Sequence, residues 1–198
     1  MTQIPSTIGD PDRAILPDRG LTEETYLTAF PNRGAEFCDG RIEALPMPTE
    51  EHQTIVAFLY EALVAFVRSR DLGKVLFSGL RVRVRPDRLR EPDVVFMSNQ
   101  HDDRRENKFW RGADLAMEVV SEVDPQSDHT VKREEYAQAG IDEYWIVDPR
   151  TRTIAVLTLP EGAAAYVESG EYAEGSTAES VLLDGFRVDV TAAFAGDQ

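Results

Sequence analysis

Residues 115–120 read Leu-Ala-Met-Glu-Val-Val, and they place one acid, Glu118, inside an otherwise apolar run. A run of this length and composition is typical of a buried strand. A second run, residues 92–96 with the sequence Pro-Asp-Val-Val-Phe, places Asp93 in the same kind of setting. Acids rarely enter buried strands unless they are paired or bind a cation. The two runs therefore predict two neighbouring strands, each with a carboxylate that needs a partner.

Two ionised carboxylates on neighbouring strands would repel each other strongly. A divalent cation between Asp93 and Glu118 would remove that repulsion. The chain has one cysteine and three histidines, and hard oxygen ligands favour Mg²⁺ or Mn²⁺ over Zn²⁺. We therefore predict a magnesium or manganese site at these two acids. The alternative is that each acid ends its strand and faces water.

A lysine follows at a spacing that suits such a site. The residues after the second strand predict a helix over Asp128–Ala139, which Gly140 ends. Spacings of four residues place Asp128, Lys132 and Tyr136 on one face of this helix. If that face packs on the sheet, the lysine ammonium lies near the acids, where it could orient water and stabilise phosphoryl charge. The alternative is a surface lysine that pairs weakly with Asp128.

The rest of the chain predicts further helices and strands around this centre. The clearest helix spans Glu50–Arg70, with Thr49 as its cap and apolar residues at spacings of three and four. A hairpin is predicted over Glu36–Leu45, where Asp39-Gly40 supplies the turn. Further predicted elements are a helix over Thr22–Phe30 that Pro31 ends, strands over Val75–Phe77, Leu80–Arg85, Glu143–Val147 and Thr153–Leu159, a loop or short helix over Asp102–Arg111, and more strand in the tail that contains Phe186, Val188 and Val190.

This order of elements predicts an α/β (α+β) fold. One mixed central β-sheet flanked by helices, with extra C-terminal strands, accounts for the helices and strands in the fewest layers. Residues 1–20 are rich in Pro, Asp and Gly and predict a loose N-terminal arm. Residues 21–198 then form a single domain, which suits a chain of 198 residues.

The charge distribution bears on possible partners. The net charge is −15, from 21 basic and 36 acidic side chains, which disfavours non-specific binding to nucleic acid. Arginines nevertheless crowd between residues 81 and 111. We predict that Arg81, Arg83 and Arg85 belong to a nucleic-acid-binding face. Alternate arginines are equally typical of the solvated face of an ordinary strand.

The cellular compartment is predicted from three absences. Cys38 is the only cysteine, so no intrachain disulfide can form and a reducing compartment fits. The first twenty residues contain no apolar segment typical of a signal peptide. No apolar run approaches the length needed to span a membrane. We therefore expect a cytoplasmic protein.

The stretch Gly-Ile-Asp-Glu-Tyr-Trp-Ile-Val-Asp-Pro, residues 140–149, resembles a known family most specifically. The resemblance extends to Glu91–Phe96, to Glu118–Ser121, to Asp128 with Lys132 and Tyr136, and to the segment from Asp39-Gly40-Arg41 through Pro48 to His52. Together these stretches resemble the Uma-two-type family of restriction endonucleases, within the PD-(D/E)XK nuclease superfamily. The resemblance covers about Leu21 to Phe194, and it implies a restriction-endonuclease-like core.

The resemblance also implies roles for individual residues. Asp93 and Glu118 would hold the metal, helped by the backbone carbonyl of Val119. The chain departs from the superfamily pattern two residues after Glu118, where Val120 stands in place of the usual lysine. In this family the lysine lies instead in the following helix, and that position is Lys132.

Supporting residues follow from the same resemblance. His52 would lie at the edge of the site, although a partly buried structural histidine is equally compatible with its helix. Glu36 or Glu43 would supply a third carboxylate, and the sequence does not choose between them. Tyr136 would hydrogen-bond into the site or serve as a core tyrosine.

The function implied is a Mg²⁺- or Mn²⁺-dependent endonuclease that hydrolyses phosphodiester bonds, with DNA as the expected substrate. A homodimer is expected if both strands of a duplex are cut. Two other classes of function stay open. One is a non-catalytic module that binds nucleic acid or protein and retains the nuclease fold. The other is a structural homodimer in which the acids contribute only to stability.

Overall fold

The structure is a computed structural model that describes residues 20–29 and 34–195. Its helices are α1 (Glu23–Ala29), α2 (Glu50–Ser69), α3 (Arg133–Gln138) and α4 (Val190–Phe194), with a 3₁₀ turn at Asn99–Arg104 and a π-helical turn at Ser127–Lys132. Its strands are β1 (Ala35–Cys38), β2 (Arg41–Ala44), β3 (Gly73–Phe77), β4 (Arg81–Arg85), β5 (Arg88–Arg90), β6 (Val94–Ser98), β7 (Phe109–Arg111), β8 (Leu115–Val119), β9 (Glu143–Asp148), β10 (Thr153–Thr158), β11 (Val167–Ala173), β12 (Thr177–Glu179) and β13 (Arg187–Asp189). The arm predicted over residues 1–20 lies outside the described residues except for Gly20, and so does the helix end predicted at Pro31.

Local sequence signals set the start of α2 and the first hairpin. The Thr49 side chain caps α2 by accepting the backbone N–H of His52 at 3.2 Å. Between β1 and β2, Asp39 and Gly40 have φ values of 51° and 80°, which are the left-handed conformations that a tight hairpin turn requires. Both predictions are confirmed.

A six-stranded mixed sheet forms the centre of the fold, in the order β11-β10-β9-β8-β6-β3. β8 and β9 are parallel, and the other neighbouring pairs are antiparallel. Alternate residues of a strand point to opposite faces. One face packs Met117 and Trp145 with α2, and the other packs Ala116 and Tyr144 with α3. The two helices therefore cover opposite faces of a mixed sheet, as the sequence predicts.

The structure contains a second sheet, whereas the sequence predicts a single central sheet. It has five strands in the order β2-β1-β5-β4-β7, and it packs a smaller core of Tyr26, Phe37 and Leu89. Two of its strands, β5 and β7, have three residues each, and β7 falls inside the Asp102–Arg111 segment predicted as loop or short helix. Strands this short depend on pairing with their neighbours more than on their own composition.

The helix predicted over Asp128–Ala139 is not regular, because its first part, Ser127–Lys132, is a π-helical turn and only the remainder is α3. The Tyr144 hydroxyl donates a hydrogen bond to the Asp128 carbonyl at 3.0 Å, which gives this carbonyl a partner outside the helix. π-helical turns are uncommon and occur frequently at functional sites. The helix ends as predicted, since Gly140 has a φ of 72°.

The C-terminal segment adds the predicted strands and one helix that the sequence did not indicate. Phe186, Val188 and Val190 are all buried. β12 and β13 pair as a small sheet, whereas Val190 begins α4, which the Asp189 side chain caps. Among the residues that the structure describes, no helix has the length and apolar character to cross a membrane.

Candidate active site

Asp93 and Glu118 meet at the end of two neighbouring strands. The antiparallel pairing of β6 and β8 ends with Val94 opposite Met117, and Asp93 and Glu118 are the residues next to this pair in the chain. The charge of Asp93 acts on the Glu118 carboxylate. The Asp93 carboxylate also accepts the backbone N–H of Val119 at 2.8 Å. The two acids that stand out in the sequence therefore belong to one site.

Glu118 is buried, and both of its carboxylate oxygens have partners. The Tyr136 hydroxyl donates to Oε1 at 2.5 Å, and the Lys132 ammonium lies 2.9 Å from Oε2. Burial raises the pKa of Glu118, Lys132 opposes this by a smaller amount, and the charge of Asp93 raises the pKa further. The site therefore disfavours a charged Glu118 unless an additional cation is present.

Lys132 points into the site, with 9% of the residue exposed. Its Nζ lies 2.9 Å from Oε2 of Glu118 and 2.9 Å from Oδ1 of Asp128. Burial lowers the pKa of Lys132, but surrounding carboxylates raise it well above the usual value; in order of effect these are Glu118, Asp128, Glu36 and Asp93. The side chain is therefore a fixed ammonium at neutral pH, suited to stabilising negative charge.

His52, in the first turn of α2, contacts Asp93. Its Nε2 lies 3.3 Å from Asp93 Oδ2. Burial lowers the pKa of His52, but the hydrogen bond and charge of Asp93, the Val119 backbone and the charge of Asp128 together raise it by more. The buried Nδ1 has no hydrogen-bond partner within the described part of the chain. A buried nitrogen of this kind can take a water or a ligand oxygen.

Of the two acids proposed as a third carboxylate, Glu36 lies within reach of the site. It is buried, accepts the N–H of Glu91 at 3.0 Å and forms an ion pair with Arg90. Burial raises the pKa of Glu36, but Arg90 and Lys132 lead a set of contacts that lowers it overall. Glu43 is its partner across the hairpin, and the Glu43 side chain is 55% exposed.

The buried charges of this site do not cancel. Arg90 balances Glu36. Three other carboxylates then surround the single ammonium of Lys132; they are Asp93, Glu118 and Asp128. With all three carboxylates ionised and His52 neutral, three negative charges against one positive charge leave a net charge of about minus two, which one divalent cation would balance. The donors are oxygen atoms, so the residues present fit Mg²⁺ or Mn²⁺.

A second group of possible metal ligands lies on the first hairpin. Within the described ranges, one set of three His, Cys, Asp or Glu ligand atoms lies within 4.8 Å of one another, and it comprises Glu36, Cys38 and Glu43. Arg90 already contacts Glu36 and lies 3.7 Å from Glu43. Burial raises the pKa of the Cys38 thiol to about 12, and a thiol coordinates metals as its thiolate. A divalent cation is therefore disfavoured at this hairpin group.

Arg81, which the sequence predicts to contact nucleic acid, is buried. The residue is 7% exposed. Its guanidinium lies 3.5 Å from a Glu91 carboxylate oxygen and 4.2 Å from the centre of the Tyr26 ring. A phosphate would have to reach a side chain that the protein covers, so this burial disfavours a direct contact, and the nucleic-acid role of Arg81 stays a prediction.

Arg83 and Arg85 lie closer to solvent, and each is paired with an acid. Arg83 contacts Glu23, and Arg85 lies 2.8 Å from Asp39. The arginine side chains are 31% and 41% exposed. Because a neighbouring acid balances the charge of each arginine, these side chains differ from unpaired arginines on the solvated face of a strand. Contact with nucleic acid stays a prediction for these two residues.

Two residues of the site were not among the sequence candidates. Asp128 carries two signals in the sequence, its spacing of four residues from Lys132 and its place in the stretches that resemble the family, but neither assigns it a role beyond a possible pair with Lys132. Arg90 carried no signal, because its partner Glu36 is 54 residues away in the chain.

Comparisons with known proteins agree with the architecture. The family model Uma2, described as "Putative restriction endonuclease", matches residues 24–191, which confirms the resemblance in the sequence. Among solved structures, the chain is similar to a "putative nuclease belonging to DUF820" from Anabaena variabilis ATCC 29413, with a TM-score of 0.67 and 18% identity over 81% of this chain and 89% of that chain. At this identity the likeness concerns the fold, and it confirms the predicted fold class. A search among curated proteins gave no match.

Proposed function

The chain belongs to the Uma2 family of restriction-endonuclease-like proteins, and on this basis we propose that it is a Mg²⁺- or Mn²⁺-dependent endonuclease that hydrolyses phosphodiester bonds in DNA. The family and the fold support a nuclease. The metal, the substrate and the roles of individual residues are the parts that we add from the chemistry of the site.

One observation carries the proposal. A buried ammonium, Lys132, lies 2.9 Å from Glu118, and the charge of Asp93 acts on the same glutamate. Two acids can hold a cation and a lysine can stabilise phosphoryl charge, which are the roles that metal-assisted phosphodiester hydrolysis uses. Val120 occupies the position of the superfamily's usual lysine, and the reach of Lys132 from the next helix supports the idea that it takes over that role.

Each residue of the site has a separate role in the proposed reaction. Asp93 and Glu118 would hold the cation, together with the backbone carbonyl of Val119. The cation, when bound, supplies a Lewis acid and a water of lowered pKa. The Lys132 ammonium donates hydrogen bonds to the phosphate oxygen on which negative charge develops. The Tyr136 hydroxyl fixes the orientation of Glu118, because it donates to one carboxylate oxygen.

His52 and Glu36 support these groups from two sides. His52 holds Asp93 through Nε2, and its unpaired Nδ1 is available to a water or a phosphate oxygen. Glu36 contributes negative charge that keeps Lys132 protonated. A protonated lysine cannot act as a general base, so its part in the reaction is electrostatic.

The substrate and the assembly are further parts of this proposal. Duplex DNA would dock beside β4, where Arg83 and Arg85 are partly exposed, and two copies of the chain would cut the two strands. With a net charge of −15, binding should be weak and should fall steeply as the salt concentration rises.

Cleavage assays test the activity directly. Supercoiled plasmid, linear duplex DNA, single-stranded DNA and RNA are incubated with the protein and Mg²⁺, Mn²⁺ or EDTA. We expect cleavage of DNA with either cation and none with EDTA. Asp93→Ala should abolish cleavage, and Lys132→Met should reduce it on the order of a hundredfold, because the apolar stem stays and the charge is lost. Lys132→Arg should rescue only in part, since a planar guanidinium does not reproduce the compact ammonium.

A matched control comes from the outer side of the same helix. Glu134 is exposed, so Glu134→Gln removes one negative charge without touching the site and should cleave like the native protein. DNA binding without cleavage under every cation would contradict the proposal and favour the non-catalytic binding module. Equal cleavage by Asp93→Ala and the native protein would assign the activity to a contaminant.

A further inference from the structure

Lys132 stands between two carboxylates of different origin. Its Nζ lies 2.9 Å from Glu118, on the central sheet, and 2.9 Å from Asp128, one turn earlier on its own helix. Both acids are buried, with 2% and 4% of each residue exposed. Asp128 Oδ1 and Lys132 Nζ are not aligned as a hydrogen bond, so the attraction between them is that of two close opposite charges.

Glu118 differs from Asp128 because the proposed function requires it to hold a cation. Both oxygens of Glu118 are engaged, one by Tyr136 and one by Lys132. If Glu118 is to hold a cation, at least one oxygen has to leave its present partner, and the Lys132 ammonium is the partner that a cation repels. An ammonium with Glu118 as its only neighbour would then compete with the cation for the same oxygen.

We infer that Asp128 is a positioning residue that fixes the Lys132 ammonium in the site independently of Glu118. This inference rests on the proposed function for its purpose, since it leaves Glu118 able to serve a cation while the lysine stays in place. Asp128 acts through Lys132 and is not itself a ligand of the cation.

The local fold suits Asp128 to this part. It lies in the π-helical turn that ends at Lys132, so the same turn carries the acid and the ammonium. The Tyr144 hydroxyl anchors the turn by donating to the Asp128 carbonyl at 3.0 Å, and Tyr144 itself is fully buried in β9. The acid is therefore held by the sheet through its backbone, whatever the orientation of the Glu118 side chain.

Double-mutant cycles without metal test the contact itself. Unfolding by urea is measured for Asp128→Asn, Lys132→Met and the double variant, first in the native background and then in Glu118→Gln. We expect a coupling of at least tenfold in the unfolding equilibrium constant, about 1.4 kcal/mol, in both backgrounds. Coupling that disappears in Glu118→Gln would overturn the inference, because Asp128 would then depend on Glu118.

Calorimetric titration with Mn²⁺ alone tests the consequence, again without an activity measurement. Asp128→Asn should weaken Mn²⁺ binding about tenfold, because the ammonium then pairs only with Glu118. Lys132→Met should tighten binding by a similar factor, since the competitor is gone. In the Lys132→Met background, Asp128→Asn should change the affinity by less than about threefold. A tenfold loss that persists in that background would make Asp128 a direct ligand and overturn the inference.

The two arms separate this inference from the proposed function. If the native protein does not respond to Mn²⁺, the metal-dependent function fails, while the metal-free cycles still support or overturn the assignment of Asp128. Glu134→Gln serves as the control in both arms, because it removes an equal charge from the exposed side of the same helix. It should leave the coupling and the affinity unchanged within about twofold.

Discussion

Glu118 and Glu143 are buried glutamates on the adjacent parallel strands β8 and β9, yet they are satisfied in opposite ways. Glu143 is 0% exposed and accepts four hydrogen bonds. At Oε1 the donors are the Trp145 indole and the Ser180 hydroxyl, each at 2.7 Å, and at Oε2 they are the backbone N–H groups of Val181 and Leu182, each at 2.7 Å.

The partners of Glu118 are of another kind. They are an ammonium, Lys132, and a hydroxyl, Tyr136. A hydroxyl can reverse its role and accept a hydrogen bond, whereas a backbone N–H or an indole N–H can only donate. Glu143 is therefore committed to its donors and ties the segment around Val181 to the sheet. Glu118 can exchange its partners, which is what a ligand of a cation has to do.

Burial alone therefore does not identify a functional acid. Glu118 lies within an apolar strand and Glu143 begins one, and both belong to the stretches that resemble the family. Fixed neutral donors indicate a structural acid. A functional acid is indicated by a single ammonium partner, by further carboxylates nearby and by a raised pKa, because its charge is balanced only when a cation binds.

The largest effect expected is on Glu143→Gln. In either orientation the amide NH₂ group of glutamine faces at least one group that can only donate, so hydrogen bonds are lost in a buried place. We expect a loss of about 2–4 kcal/mol in the free energy of unfolding, measured by urea denaturation. Glu168 is exposed on β11, and Glu168→Gln should change stability by less than about 0.5 kcal/mol. A similarly small loss for Glu143→Gln would remove the distinction between the two buried acids.

The next effect is on cleavage by Glu118→Gln. The neutral side chain can accept from Lys132 and donate to Tyr136, so folding should survive while the ligand charge is gone. We expect cleavage to fall at least a hundredfold, equivalent to about 2.7 kcal/mol in the activation barrier. The rise in melting temperature that Mn²⁺ gives the native protein should also disappear. Full activity in Glu118→Gln would show that this acid is as structural as Glu143.

A smaller effect separates the native protein from Glu118→Gln as the pH changes. The folded-state pKa of Glu118 is raised above the ordinary value of 4.5, so its contribution to stability is present below that value and is lost as the pH rises through the folded-state pKa. Without metal, the free energy of unfolding of Glu118→Gln, relative to that of the native protein, should therefore increase by about 1–2 kcal/mol from pH 5 to pH 8. Urea denaturation at the two pH values measures this. If Glu118→Gln were instead more stable relative to the native protein at pH 5 than at pH 8, the pKa of Glu118 would not be raised in the folded state.

The smallest effect is expected at an exposed acid, which sets the scale for the buried ones. Asp39 hydrogen-bonds with Arg85 and Arg88, which lower its pKa to about 2, but its side chain is 52% exposed. Exposed ion pairs contribute little, and asparagine tolerates the positive φ of 51° at this position. Asp39→Asn should therefore cost less than about 1 kcal/mol in urea denaturation at neutral pH. A larger cost would mean that the arginine pairs of the second sheet stabilise it as strongly as the buried contacts do.

Much of the fold and part of the site could be predicted from the sequence. The hairpin turn at Asp39-Gly40, the Thr49 cap and the Gly140 stop depend on residues next to each other in the chain, so local conformational preferences are enough to indicate them. The second sheet could not be predicted in this way. Its three-residue strands β5 and β7 are set by pairing with β1 and β4, and three residues carry too little local signal to indicate a strand.

The sequence was enough to single out Asp93 and Glu118 as acids in apolar runs, and to predict that Lys132 lies on the inner face of the next helix, with a surface lysine as the alternative. Only the tertiary structure decided that Glu36 rather than Glu43 approaches the lysine, that Asp128 is its second partner, and that Arg81 is buried. The physical reason is that charge, burial and hydrogen bonding depend on distances between side chains. These distances are set where strands and helices pack, and neighbours in the chain do not determine them.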